Sequence, residues 1–221
     1  MNHLDPSMPV PRYDAVSDPL PSGPEFPGCK PVHLPHDEVE TFDGRLEFWD
    51  ARTETAWVCE PTSPYHEQPS QTLAALAHAI AGVRGSPIKC YGAMDLLVRD
   101  DRGRKRWIMQ ADQSVYLRPR RAHLPGPSAM VVGENDFPDV VLEVDYSADV
   151  RRGKLGLNES WGFPEVWVEV PDRRTPSRPR GRMAGLTIHV LEEGVNTACR
   201  SMLATNRTVR FCSTRVVRLF S

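Results

Sequence analysis

Residues 137–154, FPDVVLEVDYSADVRRGK, constrain the fold more than any other part of the chain. Side chains alternate faces along a strand, so Val140, Leu142 and Val144 point one way while Asp139, Val141, Glu143 and Asp145 point the other. Three of the last four are acidic. One face therefore asks for a core, and the other asks for something that lets carboxylates sit close together.

The chain around this strand reads as alternating short elements. GRLEFWDARTETAWVCEP (44–61) predicts a hairpin turning near Thr53 to Thr55. Leu73, Leu76, Ala77 and Ile80 recur at helical spacing and predict a helix over roughly 68–83. IKCYGAMDLLVRD and RKRWIMQADQSVYLRP flank the turn signal DRG and predict a long hairpin. After the acidic strand a helix is expected near 149–162, with Ser147 or Asp149 as N-cap, then strands at 164–170 and 185–193. The pattern is α/β (α+β): a mixed central sheet flanked by helices.

Residues 1–36 carry proline every few positions without an apolar period, so they are expected to be a disordered leader. The ordered domain is expected to span 37–193, and the tail 194–221 gives no assignable pattern. No basic segment followed by an apolar one opens the chain, and apolar runs are short, so a soluble, cytoplasmic protein is expected. Five cysteines without C-x-x-C spacing argue against structural zinc and against a disulfide framework. A formal charge of −2 does not mark the whole chain as a partner of polyanions. Arginines cluster locally, however, at 99–107, 118–121 and 173–182, either as solvated loops or as phosphate contacts.

Asp112 lies on the second strand of the long hairpin, where Ile108, Gln110, Asp112 and Ser114 are expected to share a face. If that strand neighbours the acidic one, Asp112 and Glu143 converge and need a proton or a cation between them. Hard oxygen ligands with room for water suit Mg²⁺ or Mn²⁺ better than zinc. Only four lysines occur in the chain, and one of them, Lys154, falls with Val150, Leu157 and Trp161 on the apolar stripe of the second helix. Two readings fit it: an ammonium reaching back over the carboxylates, or a side chain that snorkels to the helix edge.

An Asp on one strand, a Pro-Asp-apolar-apolar-apolar-Glu strand, a lysine in the following helix and then GFPEVWVEV resemble the Uma-two family of restriction-endonuclease-like proteins, within the PD-(D/E)XK nuclease superfamily. ETFDGRLEF, PTSPYHEQPSQTLAALAHAI and QADQSVYL resemble further family segments, so the likeness runs from about Glu40 to about Glu192. It implies a restriction-endonuclease-like sheet, Mg²⁺ (or Mn²⁺) held by Asp112 and Glu143, and Lys154 displaced from the usual strand position, where Asp145 stands as a further ligand. It also implies a metal-dependent endonuclease that hydrolyses DNA, with Glu40 and Asp139 as outer members of the site; His66, another outer candidate, reads either as a general base or as a cap or surface polar group at a helix start. Asp139 is four residues from Glu143, more than about 10 Å along one strand, which suits a structural role. Arg102, Arg104, Lys105 and Arg106 are the candidate DNA contacts, and a homodimer would suit cleavage of two strands. The alternative is a catalytically weakened nuclease-fold module that binds nucleic acid or a protein partner, because Asp145 occupies the lysine position. A small-molecule hydrolase on the same scaffold is a third reading.

Overall fold

The computed structural model describes residues 25–59, 64–118, 129–146, 150, 153–172, 184–194 and 208–216. In chain order its elements are β1 (Cys29–His33), β2 (Leu46–Asp50), β3 (Thr55–Cys59), α1 (Pro64–Arg84), β4 (Lys89–Arg99), β5 (Lys105–Tyr116), β6 (Ala129–Val131), β7 (Val140–Val144), α2 (Lys154–Trp161), β8 (Glu165–Val170), β9 (Gly185–Gly194) and β10 (Thr208–Val216). The strands join one mixed sheet in the order β1-β3-β2-β5-β7-β8-β9-β10, with β4 and β6 branching from β5. Pairing is antiparallel except for β4 with β6 and β7 with β8, the latter linked through α2 as a parallel crossover requires. No helix among the described residues is long and apolar enough to cross a membrane.

The two helices take opposite faces of β7, because successive side chains of a strand alternate. Val141 packs with Leu157 and Trp161 of α2, together with Phe48, Met109, Val166 and Val168. Val140 and Leu142 pack the other way with Val115 and Leu73 of α1. Val150, Lys154, Leu157 and Trp161 are all buried, as the helical spacing predicts. Gly153 is the N-cap of this helix and lies against a neighbouring segment. A Cβ there would lie 2.7 Å from Glu25 O and 2.9 Å from the Phe26 ring.

Several expectations are corrected. The leader boundary moves, because Phe26 is buried in the core and β1 pairs antiparallel with β3. Residues 1–24 lie outside the described residues. In the tail, β10 pairs with β9 along nine residues; Thr and Val supply strand preference where no apolar period announces it. The first helix starts at Pro64, where proline costs no hydrogen bond. The second starts at Lys154, and Ser147 and Asp149 lie outside the described residues. Cys29 and Cys59, which sit opposite each other in the β1–β3 ladder, form a disulfide. No local motif signals a pair separated by 30 residues.

The expected single face for residues 108, 110, 112 and 114 is also interrupted. Tyr91 and Met94, three residues apart on β4, pack against the same core, and Ala93 between them has φ 47°. The β4–β5 register continues through this point, from Gly92↔Gln113 to Met94↔Ala111, so both strands change faces together beside Asp112.

Candidate active site

The site forms where the sheet forks. One edge of β5 is covered by β4 along its length. The other edge pairs with β2 at Trp107–Met109 and with β7 at Gln113–Val115, and residues 110–112 lie between the two partners. Backbone groups at such a gap need other partners. Lys154 Nζ donates to Gln110 O at 2.6 Å, and the Val144 N–H donates to Asp112 Oδ2 at 2.7 Å. The sequence-predicted site residues thus close the gap themselves.

Lys154 is 2 % exposed, and its Nζ is also 2.9 Å from Glu143 Oε2 and 2.9 Å from Glu47 Oε1. Three partners engage the three donors of the ammonium. The snorkelling reading of this lysine is therefore set aside: its stem is buried and its head is held by carboxylates. Glu47 was not anticipated. It stands between apolar Leu46 and Phe48, at the point where the β2–β3 register shifts from Leu46↔Val58 to Phe48↔Trp57. Such an irregularity re-aims a side chain, and a strand read by simple alternation does not show it.

His66, in the first turn of α1, is buried and places Nε2 3.4 Å from Asp112 Oδ2 and Nδ1 3.5 Å from Glu67 Oε1. Arg45, also missed from sequence, brings Nη2 to 3.1 Å from His66 Nε2, 3.9 Å from Asp112 Oδ1 and 4.0 Å from Glu47 Oε2. The signal available in GRLEF was an arginine two residues before a glutamate at the head of a strand. Arg45, His66 and Asp112 line a cleft of about 390 Å³ between the start of α1 and the β4–β5 hairpin.

Charge in this cluster is unequally shared. Burial would raise the Asp112 carboxyl, but the His66 contact, the Lys154 ammonium and the Val144 N–H outweigh it and hold Asp112 at about 2. For Glu143, burial, with Asp112 and Glu47 nearby, outweighs the Lys154 ammonium and pushes it up to about 8. Burial alone would lower Lys154, yet Glu143, Glu47 and Asp112 hold its ammonium above the usual lysine range. The two directions agree physically: the Lys154 ammonium lies among three acids, so it stays charged while the most buried acid keeps its proton.

Glu143 Oε1 is buried and has no hydrogen-bond partner. A bare acceptor among carboxylates fits a hard divalent cation, with Asp112 as a second ligand and water completing the shell. Asp145 does not join them in a three-ligand group. Among the described residues the three ligand atoms within 4.8 Å of one another come from Cys29, Glu47 and Cys59, and the disulfide leaves those sulfurs without a thiolate to offer.

Other candidates lie apart. Asp139 accepts from Leu117 N at 2.8 Å and Arg118 Nη2 at 2.9 Å, which ties the end of β5 to the approach of β7. Glu40 pairs with Lys105 and is not brought to the site. Arg104 is held by Asp100 at 2.9 Å and Arg106 stacks over Trp107 at 4.2 Å. Arg102 is exposed on the same turn. Seven residues of strand separate Lys105 from Asp112, roughly 20 Å, so the basic turn stands away from the cleft.

No protein-family model matches the chain, and no curated protein matches it. Among solved structures, the chain is similar to a putative nuclease of DUF820 from Anabaena variabilis, at 14 % identity and a TM-score of 0.44, covering 71 % of this chain and 78 % of that one.

Proposed function

We propose that this chain is a Mg²⁺- or Mn²⁺-dependent endonuclease that hydrolyses phosphodiester bonds of DNA, in the manner the Uma-two and PD-(D/E)XK resemblance implies. The observation that supports this most is the unpartnered, buried Glu143 Oε1 next to Asp112 and Lys154 at the fork of the sheet. Asp112 and Glu143 would hold the ion, which supplies an activated water and neutralises charge on the phosphate. Asp112 is anionic at neutral pH and borders the cleft, so it presents a ligand to solvent. Lys154 holds Glu143 and Glu47 in place from beneath, and Glu143 gives up its proton when it takes a cation.

The test is cleavage of supercoiled plasmid and linear duplex with Mn²⁺, Mg²⁺ or EDTA. Asp112→Asn and Glu143→Gln should each lose cleavage while remaining folded. Full activity in either variant would refute the assignment. One observation favours the alternative of a weakened module: all three Lys154 donors are engaged, leaving none for a phosphate. Under that reading Mn²⁺ binds without turnover, or fails to bind in calorimetry.

A further inference from the structure

Lys154 is committed beneath the site, whereas a second cation stands in the wall of the cleft. We infer that Arg45 is the phosphate-binding residue of this cleft and that Lys154 is a positioning residue, an inference that rests on the reading of the cleft as a nuclease site. The argument is one of place and charge. Lys154 is 2 % exposed, and its ammonium meets Gln110 O, Glu143 and Glu47 within 2.9 Å, so moving it to a substrate would strip two buried carboxylates of their cation. The Arg45 side chain is 17 % exposed and borders the cleft beside Asp112.

The guanidinium is held there from several sides. The Arg45 backbone O accepts the Cys59 N–H at 3.0 Å, which fixes the residue at the head of β2. Its Nη2 reaches His66 Nε2 at 3.1 Å, while Asp112 and Glu47 lie about one ångström farther off. Of the three acids at the site, Glu143 keeps its proton, and Lys154 sits against Glu143 and Glu47 rather than facing the cleft. Arg45 is the cation that lines the cleft beside the anionic Asp112, and its planar fork, which suits phosphate oxygens, stands where the chain opens to solvent. The substrate class this selects is a phosphodiester backbone contacted at one phosphate, with no demand on the base.

The test is fluorescence anisotropy of a labelled 12-nucleotide single strand in Ca²⁺ and in EDTA, across a salt series, with wild type, Arg45→Ala, Arg45→Gln and Arg45→Lys. Loss of one phosphate contact should weaken binding about ten-fold in the Ala and Gln variants and flatten the log–log salt slope by about 0.7. Arg45→Lys should keep the slope. Melting temperature checks folding, and the Gln variant decides if the Ala variant does not fold. Unchanged affinity and slope in Arg45→Gln, or a wild-type protein with no salt-dependent binding, overturns the inference. If Arg45-dependent binding persists but Mn²⁺ supports no cleavage, the nuclease reading fails and this one stands. If cleavage occurs with KM unchanged in Arg45→Gln, the reverse holds.

Discussion

Replacing Lys154 by Met keeps the length of the side chain and removes its charge. The ammonium it deletes is the shared partner of Glu47 and Glu143, and both carboxylates are buried, at 5 % and 1 % exposure. Breaking a buried ion pair from one side costs about 3–5 kcal/mol, because the remaining charge is uncompensated. At 2–4 °C per kcal/mol for a domain of this size, the melting temperature should fall by roughly 10 °C. The cost should also depend on pH. Glu143 is raised in the folded protein to about 8, so its contribution to stability is full below its ordinary value of 4.5 and is lost as pH rises through 8. Without Lys154 that loss deepens, so the difference between variant and wild type should widen from pH 5 to pH 9. Urea unfolding followed by tryptophan fluorescence over this range measures it. A cost below about 1 kcal/mol, flat with pH, would refute the placement of Lys154 as the buried cation of the site.

Asp112 is lowered from 3.8 to about 2, so its stabilising contribution, roughly 2 kcal/mol, is present above pH 3.8 and disappears as pH falls through 2; Asp112→Asn should flatten acid unfolding in that window. Mn²⁺ binding should release close to one proton per ion at pH 7, supplied by Glu143, which calorimetry in buffers of different ionisation enthalpy reads directly. Asp139→Ala removes two hydrogen bonds at the β5–β7 end and should cost about 1–3 kcal/mol in urea unfolding with kcat unchanged. Reduction of Cys29–Cys59, or Cys29→Ser with Cys59→Ser, should cost about 3–4 kcal/mol, the loop-closure value for a 30-residue separation.

What local sequence could reveal was the run from β7 to β8. Alternation in PDVVLEVD reports which side chains meet a core, and the 154, 157, 161 spacing places a lysine on the packed face of α2. Those periods bring Glu143 and Lys154 to facing surfaces, but they left the lysine between a buried and a snorkelling reading; the structure buries both. The remainder depends on contacts between distant segments. Glu47 enters the site because the β2–β3 register slips by one residue, and nothing in GRLEFWD marks that slip. The change of face beside Asp112 occurs at Ala93 with a positive φ, where no asparagine or second glycine stands at the bend itself to signal it. The fork needs β2 and β7, nearly a hundred residues apart, to share one edge of β5. Glu40 was drawn to the site by resemblance, while an opposite charge, Lys105, lay closer. The arginine turn looked like a phosphate surface because clustering shows charge but not partners, and Asp100 and Trp107 already engage two of its side chains.

The most direct measurement is an anomalous difference map from crystals grown with Mn²⁺. The account predicts a peak bonded to oxygens of Asp112 and Glu143, with Lys154 still on Glu47. A peak elsewhere, or none at the fork under saturating Mn²⁺, would contradict it.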